Sequence, residues 1–128
     1  MGHVNLHVNR VAARVKVPLV FGEIGYMSRT GGCSHPAGNG LQGALPAPQA
    51  QFDAYRALFD AVAKSHVVDG MALWSWNVRS TVADTGFSPK TKPAECLIVQ
   101  RWSIDATDSQ LAAGAAAPGT TPCPAAPR

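Results

Sequence analysis

Residues 17 to 28 read VPLVFGEIGYMS, and they put a carboxylate at the end of the most strand-like segment of the chain. Val, Leu, Val and Phe lead into Glu23, which lies between Gly22 and Gly25 and is followed by Tyr26. A charge in such a place needs a reason, because an ionised group among apolar side chains is costly unless it is paired or solvated. On pattern alone Glu23 is a helix cap, a surface ion pair or a functional acid. Tyr26 either donates a hydrogen bond near that acid or wedges the loop. A second concentration of chemistry is MALWSWN, residues 71 to 77. Read as a strand, it puts Trp74 and Trp76 on one face. Cys33 and His35 are close enough in sequence to touch one metal, but a four-ligand site needs partners at sensible spacing and none follows. Neither a metal nor a cofactor is expected. The three cysteines, an odd count without short repeated spacing, argue against a disulfide framework.

The elements that must position these residues alternate in type. HVNLHVNRVAARVK places Val4, Val8, Val11, Ala12 and Val15 on one helical face, and Pro18 closes it. PLVFGE is a short, continuous apolar run of the kind found in parallel strands covered on both faces. Residues 27 to 48 form a long connection rich in Gly, Pro and Ser, usual for functional or disordered loops. The connection holds Arg29, His35 and Asn39, read as cleft-lining or, more plainly, solvated. QAQFDAYRALFDAVAKSH is a helix whose packing stripe is Tyr55, Leu58, Phe59 and Val62. Asp69-Gly70 is read as the turn that ends this unit, and MALWSWN as the second strand. After a polar loop over 77 to 91, Pro93 opens a last helix through Trp102. Residues 106 to 128, rich in Ala, Pro, Gly and Thr, are expected to be a disordered tail. A helix between two parallel strands is a right-handed crossover unit. Two such strands make a poor sheet alone, so the pattern is part of a larger α/β sheet.

Composition excludes several classes. The net charge of +3 is mild, and no run of five or six Lys or Arg exists, so nucleic-acid binding is not expected. No stretch of eighteen apolar residues suggests a membrane span. The first ten residues lack the apolar core of a signal peptide, which leaves the compartment open. The chain starts inside an apparent helix without a cap, which reads as a truncated N-terminus.

In this order, KVPLVFGEIGYMS, QAQFDAYRALFDAV, VDGMALWSWN and GFSPKTKPAECLIVQRW resemble the C-terminal portion of clan A glycoside hydrolases, most of all the mannanase-like family 113. The similarity runs from about residue 4 to residue 102. It implies the last two strand-helix units of a (β/α)8 barrel within residues 1 to 105. Residues 18 to 23 would be strand seven and 71 to 76 strand eight, with outer helices at 4 to 16, 49 to 65 and 92 to 102. A whole barrel takes about 250 residues, so strands one to six are not in this chain. The resemblance makes Glu23 the nucleophile of a retaining endo-β-mannanase-like enzyme, with glycines that let a sugar approach. By alternation Glu23, Phe21 and Leu19 would line the barrel interior and Val20 would face the helices. Trp76 would floor the cleaved sugar's subsite and Trp74 would lie one layer deeper. Asp84, in the loop on the same side, would bind sugar hydroxyls at most. The acid/base glutamate belongs to strand four, outside this chain, so the isolated chain is expected to be inactive. The expected partners are an oligo- or polysaccharide and the missing N-terminal part of the barrel. Two other readings stand beside this one: a non-catalytic remnant that binds carbohydrate weakly, and an unrelated small α/β domain that folds alone.

Overall fold

A computed structural model describes residues 2–36 and 43–102, with the side chains of the first helix described from Val8 onward. The elements run α1 (Gly2–Val15), β1 (Leu19–Ile24), α2 (Pro48–Ala63), β2 (Val68–Leu73) and α3 (Pro93–Trp102). Asn39 and the expected tail from residue 106 lie outside the described residues. The two strands pair in parallel, as expected of strands joined by a helical crossover.

Each boundary has a local cause. Lys16 ends α1 in the left-handed region, φ 53°, and its N–H closes the last turn on the Ala12 carbonyl at 2.9 Å. Pro18, two residues on, cannot continue a helix. Pro48 opens α2 and Pro93 opens α3, both at positions where the missing N–H is no loss.

The core lies on one face of the β1–β2 pair. Tyr55, Leu58 and Phe59 of α2 meet Ala94, Leu97 and Ile98 of α3, and Ile24, Phe52, Met71 and Leu73 pack around them. The stripe read from the sequence of α2 is therefore the buried one. Arg101 also reaches Asp60 at 2.7 Å, a half-exposed pair of modest worth. α1 is less committed: Ala12 is buried, but Val11 and Val15 are about half exposed. Its apolar face reaches beyond what the described residues cover.

Four expectations are corrected. The second strand runs from Val68 to Leu73, not from 71 to 76. Asp69-Gly70 is not a turn but the start of β2, because pairing with β1 overrides the local turn signal. Gly70 suits that place, since a Cβ there would meet the Val20 side chain at 3.7 Å. The facing of β1 is also inverted. Phe21 shares a small apolar cavity with Val8, Leu58 and Val62, so it points at the helices. Val20, 65% exposed, points the other way. The disulfide expectation changes too, because Cys96 is disulfide-bonded while Cys33 is a free, exposed thiol.

Tyr55 sits completely buried at the centre of the core. Burial pushes its phenol up to about 12. Unfolding returns the phenol to about 10. A raised folded value adds stability below the unfolded value and loses it as pH climbs through the folded one. Stability of this folded unit is thus expected to fall between about pH 10 and about pH 12. Tyr55→Phe should flatten that fall by up to about 2.7 kcal/mol, read from urea melts across the window. Parallel losses in wild type and variant would place the alkaline sensitivity elsewhere.

The face of the sheet away from α2 carries Val20, Gly22 and Ala72, all exposed. Only β1 and β2 form the sheet among the described residues, so each keeps an edge without a strand partner. Expressed as these 128 residues alone, the chain is expected to self-associate or to stay partly unfolded. Size-exclusion chromatography with light scattering reads this directly. A soluble monomer with one cooperative thermal transition would contradict it.

Candidate active site

Because β1 and β2 are parallel, their C-terminal ends lie at the same edge of the sheet. Glu23 is the penultimate residue of β1, and Trp74 follows β2 directly. What aims Glu23 is a break in register. Between the pairs Phe21–Met71 and Ile24–Leu73, β1 advances three residues and β2 only two. The extra residue is a β-bulge, a device that re-aims a side chain near a strand end. Phe21 and Ile24 turn toward the helices, while Gly22 and Glu23 are both exposed. Strict alternation would have carried Glu23 to the helix side with Phe21. The bulge keeps the carboxylate in the open.

The two strand ends are pressed together. Trp74 N–H donates to the Ile24 carbonyl at 2.8 Å. A Cβ on Gly25 would stand 1.8 Å from the Trp74 carbonyl oxygen, so only glycine allows this approach. Trp74 is 51% and Trp76 50% exposed. β2 ends before either residue, so both stand on the chain beyond it. Their half-exposed indoles offer apolar surface beside the strand ends.

The remaining candidates divide. Tyr26 is half-buried and packs edge-on against Tyr55, ring centroids 5.2 Å apart. Burial raises its phenol above the ordinary value. Asp84 is exposed and accepts the Thr81 N–H at 2.7 Å. That hydrogen bond holds its carboxyl below the usual carboxylate range. It therefore builds its own turn. Arg29 pairs across the long loop with Pro46, and His35 is exposed. Among the described residues no three His, Cys, Asp or Glu side chains gather as a metal site. The other acids are placed on α2 (Asp53, Asp60), α3 (Glu95) and the start of β2 (Asp69). A cavity of about 200 Å³, lined by Asn9, Lys64 and His66, lies beside the start of β2, away from Glu23.

Several residues that hold the loops were not foreseen. Gln51 is fully buried, and its amide donates to the Tyr26 and Phe87 carbonyls at 2.8 and 2.9 Å. Ser88 Oγ accepts the Asn77 N–H at 3.0 Å, and buried Lys92 donates to the Ser88 carbonyl at 2.8 Å. Burial lowers the Lys92 ammonium below its ordinary value. Gln51 did leave a signal in the sequence, because position 51 falls one turn before Tyr55 on the apolar stripe. A polar residue there asks for partners.

An α/β unit with an exposed strand-end acid beside exposed indoles now meets its relatives. The model of glycoside hydrolase family 113 matches residues 3–90. The chain is thus a glycoside-hydrolase sequence, and it belongs to family 113. Its fold is similar to that of a GH113 β-1,4-mannanase, with TM-score 0.68 and 25% identity over 80% of this chain and 36% of that one. It is equally similar to the GH113 β-mannanase of Alicyclobacillus acidocaldarius in complex with ManMIm. There the TM-score is 0.68 and the identity 25%, over 77% of this chain and 33% of that one. The chain therefore spans about a third of the length of these enzymes. No curated protein matches it.

Proposed function

We propose that this chain is the C-terminal part of a retaining endo-β-mannanase, corresponding to strands seven and eight of a (β/α)8 barrel. Glu23 is the nucleophile. The observation that carries this is the bulge at Gly22–Glu23, which turns the carboxylate away from the packed helices and toward the open side of the sheet, in a family of glycoside hydrolases. In (β/α)8 enzymes the chemistry sits at the C-terminal ends of the strands, where Glu23 lies.

The reaction needs an ionised carboxylate to attack the anomeric carbon of a mannose unit as the glycosidic bond breaks. The product of that step is a covalent glycosyl-enzyme. A second carboxylic acid, about 5 to 5.5 Å from the first, protonates the leaving oxygen and later activates water. The family resemblance puts that acid/base glutamate at the end of strand four, outside residues 1 to 128. Trp76 and Trp74 present indole faces for a sugar ring, and Tyr26 and Asp84 shape the loops around it.

The test is the stereochemistry of turnover by the full-length protein, in which this chain is completed by the rest of the barrel. Incubated with mannopentaose and followed by proton NMR, it should first release products in the β-anomeric form. First release of α-product, or no hydrolysis of β-1,4-mannan, would sink the reading.

A further inference from the structure

Gln51 shares the buried stripe of α2 with Tyr55, Leu58 and Phe59, yet it is polar. Its Nε2 donates to two backbone carbonyls, Tyr26 at 2.8 Å and Phe87 at 2.9 Å. Carbonyls only accept, so chemistry alone requires the NH₂ end of the amide to face them. Tyr26 lies three residues beyond Glu23, on the loop after β1. Phe87 lies on the loop after β2, which begins with the two tryptophans. A single buried side chain thus ties together the two loops that flank the strand-end site. Other bonds continue the seam. Ser28 N–H donates to the Gly86 carbonyl at 3.0 Å, and Ala47 N–H to the Ser28 carbonyl at 3.0 Å. Phe87 also stands against Gly25, where an added Cβ would meet its ring at 3.2 Å.

We propose that Gln51 is a positioning residue: its amide locks the loop after β1 to the loop after β2 and so holds Glu23 in register with the tryptophan side of the site. Its effect on catalysis rests on the mannanase reading above, whereas its effect on loop order does not. The side chain touches no substrate. It acts through the backbone, and small misplacements of a nucleophile cost rate steeply.

The test uses Gln51→Met in the full-length protein, which keeps length and volume and removes both donors. Hydrogen exchange is read at four amides. Ser28 and Ala47 report the seam; Leu19 and Trp74 report the sheet, through their bonds to the Val67 and Ile24 carbonyls. Loss of two hydrogen bonds should accelerate exchange at Ser28 and Ala47 by about 10- to 100-fold, with Leu19 and Trp74 near wild type. On mannopentaose, kcat should fall about tenfold with KM nearly constant, as for a group that acts in the transition state. No acceleration at Ser28, equal acceleration at all four amides, or an unchanged kcat each overturns the proposal. If Gln51→Met does not fold, the wild type still decides: both Nε2 protons of Gln51 must exchange slowly, and rapid exchange overturns the lock. A wild type that cannot hydrolyse mannan sinks the mannanase reading separately, and the exchange pattern then judges the lock.

Discussion

If Glu23 is the nucleophile proposed above, Glu23→Gln in the full-length protein is expected to lower kcat/KM on β-1,4-mannan by about 10³-fold or more, a loss of the size seen when a nucleophile is removed. The amide keeps the shape of the carboxylate but cannot attack the anomeric carbon. Substrate binding should change little, because the change leaves the indoles and loops of the proposed site in place. The melting temperature should also stay close to wild type, since Gln keeps the shape of the side chain and Glu23 stands outside the core formed by α2 and α3. That separation makes the experiment clean, because activity disappears while the fold does not. Mannan hydrolysis that survives the change would remove Glu23 from the nucleophile role. The bulge would then be a strand-end irregularity without catalytic meaning.

Gly25→Ala should do the opposite and damage the fold first. The new Cβ would stand 1.8 Å from the Trp74 carbonyl oxygen and 2.9 Å from its carbon. Those are backbone atoms of a segment already hydrogen-bonded to Ile24 at 2.8 Å, so no side-chain rotation relieves the clash. Forcing overlap of this kind typically costs about 3 kcal/mol. The expected result is a lower urea midpoint with an unchanged slope, and activity lost along with the contact. A Gly25→Ala variant that melts with wild type would show that the close approach of the strand ends is wrong.

Much of the architecture was legible because it follows from short-range rules. Pro18, Pro48 and Pro93 mark helix boundaries through their own backbone geometry. The stripe of Tyr55, Leu58 and Phe59 is periodic in the sequence and buried in the structure. The motifs around Glu23 and the two tryptophans led to the family that the comparison bears out over residues 3–90. The site was harder to read. Asp69-Gly70 carries turn chemistry, yet it pairs as strand because β1 offers it hydrogen bonds that the local sequence does not encode.

What this sequence determined by itself is the order and type of its elements, the buried stripe of α2 and the presence of an acid at a strand end. Each depends on neighbours within a few residues, and periodicity or a proline ring is enough to set it. Only the tertiary structure decided which way that acid faces, that both indoles stand on the chain beyond β2, and that Gln51 joins two loops. Those outcomes depend on the register of one strand against another, and a slip of one residue there reverses every side chain beyond it.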